Sequence, residues 1–267
     1  MNKTIGFIGA GKMAQAMIEG IVNSNMIANR NIIASAATEK TLEKMTKTYG
    51  IVTTFNNEEV ARISDILILA VKPDLHAHVI EEIKSEIKQN VIIVTIAAGI
   101  TLADIEKAFG FQVKAVRTMP NTPSLVGEGM SAICPNNFLS EEELTEVEQV
   151  FHTFGKTERL EENLMDAVPA ISGSSPAYVY MFIEALADGG VREGIPRDKA
   201  YRLAAQAVLG AAKMVLKTGI HPGALKDNVC TPGGATIEAV TVLEEKQFRG
   251  SVLSAMESCT EKVKKLS

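Results

Sequence analysis

The residues Gly9-Ala-Gly11-Lys-Met-Ala14 follow directly on the apolar run Ile5–Ile8 and open an amphipathic stretch. The first glycine allows a tight turn, the second lets backbone amides approach a bulky anion, and the small last residue keeps the following helix close to a sheet. A helix start of this kind suits the pyrophosphate of a dinucleotide. Alone, the spacing also fits an ordinary glycine-rich turn; its place after the first strand of an alternating segment favours the dinucleotide. An acid about twenty residues on, closing the second strand, usually marks an NAD site. Here the chain reads Ile33-Ala-Ser35-Ala-Ala-Thr-Glu39-Lys40, with no acid at the strand end, so a ribose 2′-phosphate is tolerated. Glu39 and the lack of an arginine leave the alternative open, and the balance leans to NADPH over NADH.

Two further stretches, Ala70-Val71-Lys72-Pro73 and Ala97-Ala98-Gly99, close expected strands. Ligands of open α/β sheets bind beyond the carboxyl ends of the strands, which places both stretches at the crevice. Lys72 reads equally well as a solvated loop lysine. Near the C-terminus, Lys226-Asp-Asn-Val229-Cys230-Thr231-Pro-Gly233-Gly234-Ala235-Thr236-Ile-Glu238 sets a Pro-Gly-Gly turn between two helices. Its free amides suit a carboxylate, while its plain reading is an interhelical turn capped by threonine.

Elements that could position these residues are legible. From Thr4 to about Leu160, β-branched runs alternate with amphipathic stretches, predicting strands at Thr4–Ile8, Asn31–Ala34, Ile51–Thr54, Ile66–Val71, Val91–Ile96, Lys114–Thr118, Met130–Cys134 and Thr157–Leu160. Several are apolar on both faces, as buried parallel strands require. Thr101–Asp104 and Ser140–Glu143 read as capping boxes, and Gly50 as the stop of a helix from about Glu39. After Asn163 only helical spacing remains; Pro176 and Pro196 suit helix starts, and Gly194 and Gly219 helix ends. The expected fold is therefore α/β, a Rossmann-type doubly wound, mostly parallel sheet, followed by an all-α domain, with spans 1–163 and 164–267. A helix over about Arg197 to Thr218 carries only Gln206 and Lys213 as polar residues between Leu203 and Leu216. Such a helix needs cover on nearly every face, and a second subunit is inferred to supply part of it.

Composition closes off other classes. Apolar residues make up 46% and charged residues 22%, which excludes disorder. With 27 basic against 32 acidic residues the net charge is −5 and no basic cluster stands out, so no nucleic acid is expected as a partner. Three scattered cysteines, Cys134, Cys230 and Cys259, fit a reducing cytoplasm and neither a disulfide framework nor a structural zinc. Lys12 and Glu19 interrupt the first apolar stretch, so no signal peptide is expected, and no run approaches the ~20 residues of a membrane span. The histidines, His76, His78, His152 and His221, lack partners at ligand spacing and are expected at the surface, with no metal bound. Cys230 is read as packing.

Six segments resemble, in order, the pyrroline-5-carboxylate reductase family: Gly6–Ala14, Ala70–Pro73, Met119-Pro-Asn-Thr-Pro123, Ser172-Gly-Ser-Ser-Pro-Ala-Tyr178, Ala185–Val191 and Asp227–Thr236. The resemblance implies a dinucleotide-binding domain and an all-α dimerisation domain, whose dimers often build larger rings. It also implies reduction of 1-pyrroline-5-carboxylate to L-proline with NADPH or NADH, the last step of proline synthesis. It places the pyrophosphate at Gly9, Ala10, Gly11, Lys12 and Met13, and the adenosine ribose or its phosphate near Ser35 and Asn57. The nicotinamide half falls beside Ala70, Val71, Lys72, Pro73, Ala97 and Ala98, with Asn121 on the same crevice. The substrate carboxylate falls in the turn of Val229, Cys230, Thr231, Gly233, Gly234, Ala235 and Thr236, and Thr236 donates its hydroxyl to the ring nitrogen. Ser175 departs from the common Ser-Gly-Ser-Gly-Pro form.

Two other readings compete. A β-hydroxyacid dehydrogenase has a G-x-x-x-K-x-x-x-N helix, whereas Gly210-Ala-Ala-Lys213 has neither the spacing nor the asparagine. A non-catalytic dinucleotide sensor is possible in principle, but it has no use for the Gly-Gly-Ala-Thr turn.

Overall fold

The structure, a computed structural model, describes residues 3–265; residues 1, 2, 266 and 267, the outermost of the two expected spans, lie outside the described residues. Contacts divide the chain into two compact units, Met1–Ser174 with Cys259–Ser267, and Ser175–Ser258.

The first unit is built on one eight-stranded sheet. Its strands are β1 (Ile5–Ile8), β2 (Ile32–Ser35), β3 (Val52–Thr54), β4 (Ile66–Leu69), β5 (Ile92–Thr95), β6 (Lys114–Met119), β7 (Gly129–Pro135) and β8 (Gly155–Arg159), in the order β3-β2-β1-β4-β5-β6-β7-β8. β1 to β6 are mutually parallel, β7 runs antiparallel to β6, and β8 is parallel to β7. The central strands are apolar on both sides because both sides are covered. Ile66 and Ile68 of β4 join one core, with Ile5, Phe7, Ile92 and Val94, while Leu67 and Leu69 join the other, with Ile8 and Ile93. Helices α1 (Lys12–Ser24), α2 (Glu39–Tyr49) and α6 (Glu141–His152) supply the first core; α3 (Asn57–Ile63), α4 (His76–Ile83) and α5 (Leu102–Phe109) supply the second. Each fully buried Ile, Leu or Phe contributes about 1.5–3 kcal/mol relative to exposure.

The predicted strands form with ends shifted by a residue or two. β4 stops at Leu69, short of Val71: the Ala70 amide still reaches the Ile8 carbonyl at 2.8 Å, but the chain beyond turns into one 3-10 turn, Pro73–Leu75. Both capping boxes are present: Thr101 and Asp104 at α5, Ser140 and Glu143 at α6. Gly50 ends α2 in the left-handed conformation at φ 65°.

Beyond Gly155–Arg159 the described residues contain no further strand. The second unit holds α7 (Ser175–Arg192), α8 (Arg197–Thr218), α9 (Pro222–Val229), α10 (Ala235–Glu245) and most of α11 (Phe248–Lys264). Pro176 sits in the first turn of α7, Pro196 caps α8 and Gly219 ends it with a left-handed residue. α7 packs against α8, yet only Ala187 of α7 and Ala200 and Ala204 of α8 are buried. Large apolar side chains stand open on the same helices, among them Met181, Leu203, Leu209, Met214 and Leu216, the last 86% exposed.

Candidate functional site

The strand order reverses between β1 and β4, and crevices at such switch points, beyond the carboxyl ends of the strands, are where α/β sheets bind ligands. A cleft of about 480 Å³ opens there, lined by Gly9, Ala10, Gly11, Ser35, Thr38, Thr41, Phe55, Asn57 and Val71 among others.

Gly9 has φ +95°, and a Cβ on it would stand 2.8 Å from the Ala70 carbonyl oxygen, so both its conformation and its neighbour demand glycine. Its amide donates to the Ser35 carbonyl at 3.2 Å, tying the turn to β2. Gly11 differs. It caps α1 with ordinary angles, φ −69° and ψ −178°, and a Cβ there would meet no protein atom within 4 Å. No side chain caps α1, so the first-turn amides beginning at Lys12 and Met13 have no capping acceptor. The surface of Gly11 is therefore exposed and lies on the lining of the cleft. Gln15 braces the turn by donating from Nε2 to the Ala10 carbonyl at 2.7 Å.

At the second strand the Ser35 hydroxyl donates to Asn57 Oδ1 at 2.6 Å, and Asn57 Nδ2 donates to Glu82 Oε2 at 2.9 Å. These two bonds set the orientation of the Asn57 amide and leave the Ser35 oxygen able to accept. None of the lining residues is acidic, and Thr38 begins α2 without capping it.

Ala70, Val71, Lys72 and Pro73 form the exit of β4, and Ala97 and Ala98 the exit of the adjacent β5. Val71 lines the cleft, Lys72 is exposed, and Ala97 is 7% exposed. Asn121 is buried: its Oδ1 accepts from the Met130 amide and its Nδ2 donates to the Ser172 carbonyl, each at 2.9 Å. Its side chain is thereby committed to bracing β7 and the turn at Ser172.

In the second unit, Val229 ends α9 and Cys230, Thr231, Gly233 and Gly234 lead into α10 at Ala235 and Thr236. Gly233 has φ +68°, the Gly234 amide donates to the Thr231 carbonyl at 3.0 Å, and α10 starts without a side-chain cap. Uncapped amides and the exposed Thr236 hydroxyl therefore occupy one helix start.

One expectation is corrected. His76 is not at the surface: it is 3% exposed, with Nδ1 3.2 Å from the Lys72 carbonyl oxygen and Nε2 2.9 Å from Thr95 Oγ1. The partner hydroxyl lies nineteen residues on, on β5, where spacing along the chain cannot reveal it. His78, His152 and His221 are exposed, and among the described residues no three His, Cys, Asp or Glu side chains converge as a metal site. The cleft also recruits Phe55, Thr41, Leu75 and Val79, which sequence reasoning passed over. Phe55, 63% exposed immediately after β3, is the one with a visible signal, a lone aromatic following a strand end at the carboxyl edge.

A family model described as pyrroline-5-carboxylate reductase dimerisation matches residues 162–266, and one described as NADP oxidoreductase, coenzyme F420-dependent, matches residues 4–99. The pyrroline-5-carboxylate reductase of Escherichia coli K12 is 47% identical over all of this chain and 99% of its own. Among solved structures, a pyrroline-5-carboxylate reductase from Coxiella burnetii superposes with a TM-score of 0.92 at 31% identity, covering 100% of this chain and 99% of that one. The Plasmodium falciparum pyrroline carboxylate reductase with NADP bound gives 0.90 at 35%, covering 99% and 98%. With the sheet, the glycine turn and the helical second unit already in place, this identity over the full length means that the chain belongs to the pyrroline-5-carboxylate reductase family.

Proposed function

We propose that the protein reduces 1-pyrroline-5-carboxylate to L-proline by hydride transfer from NAD(P)H, the last step of proline biosynthesis. The observation that carries this reading is the glycine turn Gly9 to Gly11 leading into the uncapped start of α1 in the switch-point cleft. A pyrophosphate against Gly9 to Met13 explains both features. When bound, the reduced nicotinamide supplies the hydride. The chain's own part is to hold, orient and exclude water: Ser35 and Asn57 receive the adenosine ribose or its phosphate, and Ala70 to Pro73 with Ala97 and Ala98 flank the nicotinamide half. Asn121, through its bonds to Met130 and Ser172, keeps the rim of that crevice in shape.

The turn from Val229 to Thr236 takes the substrate carboxylate on its free amides, and the Thr236 hydroxyl attends the ring nitrogen as it passes from iminium to amine. A cyclic imine is basic enough to be captured protonated, so positioning accounts for most of the acceleration and no histidine acid is needed. The dinucleotide belongs to residues 1–163 and the substrate turn to 164–267. NADPH is the preferred donor, because the cleft lining carries no carboxylate against a 2′-phosphate and presents the Thr38 and Thr41 hydroxyls at the uncapped start of α2.

The active form is a homodimer built through the C-terminal helices, with a ring of dimers as its larger assembly; the open apolar faces of α7 and α8 support it. No helix among the described residues is long and apolar enough to cross a membrane, and the three free cysteines fit the cytoplasm. Initial rates of NADPH and NADH oxidation with 1-pyrroline-5-carboxylate, and with a 2-keto acid as control, test the reading. Oxidation with the imine alone supports it, and the kcat/KM ratio of the two donors tests the NADPH preference. Tight NADPH binding without turnover identifies a dinucleotide sensor instead.

A further inference from the structure

His76 is a buried titratable residue that the reaction does not use. Its Nδ1 faces the Lys72 carbonyl oxygen, which also accepts from the Leu75 amide at 3.0 Å. A carbonyl can only accept, so the ring proton sits on Nδ1. Nε2 is then an acceptor, and the proton between it and Thr95 Oγ1 comes from the hydroxyl. The hydroxyl oxygen in turn accepts from the Ala97 amide at 3.3 Å. The result is a directed chain of hydrogen bonds from the Ala97 amide through Thr95 and His76 to the Lys72 carbonyl, in which each group donates or accepts as its chemistry allows. Thr118 Oγ1 secures the β5 end by donating to the Thr95 carbonyl at 2.8 Å. Burial pushes the imidazole below its ordinary pKa, and only the neutral ring fits this chain of donors.

Both ends of the chain lie in strand exits, Lys72 after β4 and Ala97 after β5. Both ring nitrogens are taken by the protein, so His76 has no free atom with which to act on a substrate. We propose that His76 is a positioning residue for the dinucleotide, locking together the two turns, Ala70 to Pro73 and Ala97 to Ala98, that flank its nicotinamide half. The inference rests on the assignment of those turns made above.

The test compares His76→Leu, which removes both hydrogen bonds at similar volume, with His76→Asn, which retains a donor for the Lys72 carbonyl, and with Thr95→Val, which cuts the other end. Steady-state constants for NADPH and for 1-pyrroline-5-carboxylate are measured well below each variant's melting temperature. His76→Leu is expected to raise the KM for NADPH about five- to tenfold and to lower kcat severalfold, with the imine KM within about twofold of the parent. His76→Asn recovers most of the NADPH KM, and the His76→Leu/Thr95→Val pair is no worse than the poorer single variant, as members of one chain should behave. Unchanged NADPH KM in a folded His76→Leu protein, or a loss shared equally by both substrates and shown equally by Asn and Leu, overturns the proposal. Should His76→Leu fail to fold, Thr95→Val carries the same readout. Failure of the parent to oxidise NADPH with the imine is a different result: it removes the assignment of the turns, and the positioning role with it.

Discussion

Two glycines of one turn separate what the fold needs from what the ligand needs. Gly9 combines φ +95° with a carbonyl 2.8 Å from its would-be Cβ, so Gly9→Ala is expected to lower stability by several kcal/mol. Gly11→Ala meets no protein atom and changes only a cap, which limits the loss to about 1 kcal/mol or less. The same methyl fills the surface proposed for the pyrophosphate, so NADPH affinity should fall at least about tenfold. Thermal melts beside NADPH titrations check the pair; a Gly11→Ala protein that binds NADPH like its parent refutes the assignment. At the other half of the reaction, Thr236→Ala should lower kcat/KM about 10- to 100-fold with the fold intact, and Thr236→Ser should restore most of it. Unchanged kinetics in Thr236→Ala dispose of its hydroxyl as a partner of the ring nitrogen.

Helix starts carry much of the logic of this protein at the level of elements. α5 and α6 are closed by capping boxes, whereas α1, α2 and α10, the helices whose starts form the proposed binding surfaces, have no side-chain cap. A cap satisfies the amides that an anion would otherwise use, so an uncapped start leaves them open to one; α4 and α8 also start without a side-chain cap, and it is the position of α1, α2 and α10 that sets them apart. The box at α5 makes a pH prediction. The Thr101 hydroxyl, donating at 2.6 Å, is the main cause holding the Asp104 carboxyl below its ordinary value, with the Thr101 amide and Lys107 adding to it and slight burial opposing. A carboxyl more acidic in the folded than in the unfolded chain contributes stability above the unfolded pKa, and that stability is lost as pH falls through the folded one. The melting temperature of the parent should therefore drop more between about pH 6 and about pH 3 than that of Asp104→Asn. Because Asp104 is exposed, its share is no more than about 1 kcal/mol, and equal slopes for the two proteins would contradict it.

For the whole molecule, the apolar helices α7 and α8 set the terms. Leu203, Leu209, Met214 and Leu216 are half or more exposed in the single chain, a surface that water disfavours and a second copy can cover. Leu209→Glu is expected to lower the mass seen by light scattering and to make the melting temperature of the assembled protein more sensitive to concentration. An unchanged mass and melt would place the subunit contact elsewhere. Much of this architecture was already present in the order of residues. Strand runs apolar on both faces forecast a covered parallel sheet, because each such residue needs a core on its own side; the glycine turn, both capping boxes and the limits of α8 followed from local backbone chemistry. The Ser35, Asn57 and Glu82 chain and the burial of His76 were invisible in the sequence. Each depends on side chains from different strands and helices meeting at the carboxyl edge of the sheet. Local sequence specifies conformation over a few residues, where sterics and nearby hydrogen bonds dominate. Which distant hydroxyl comes within 2.9 Å of a given imidazole is decided only when β4 and β5 pair and α4 packs down beside them.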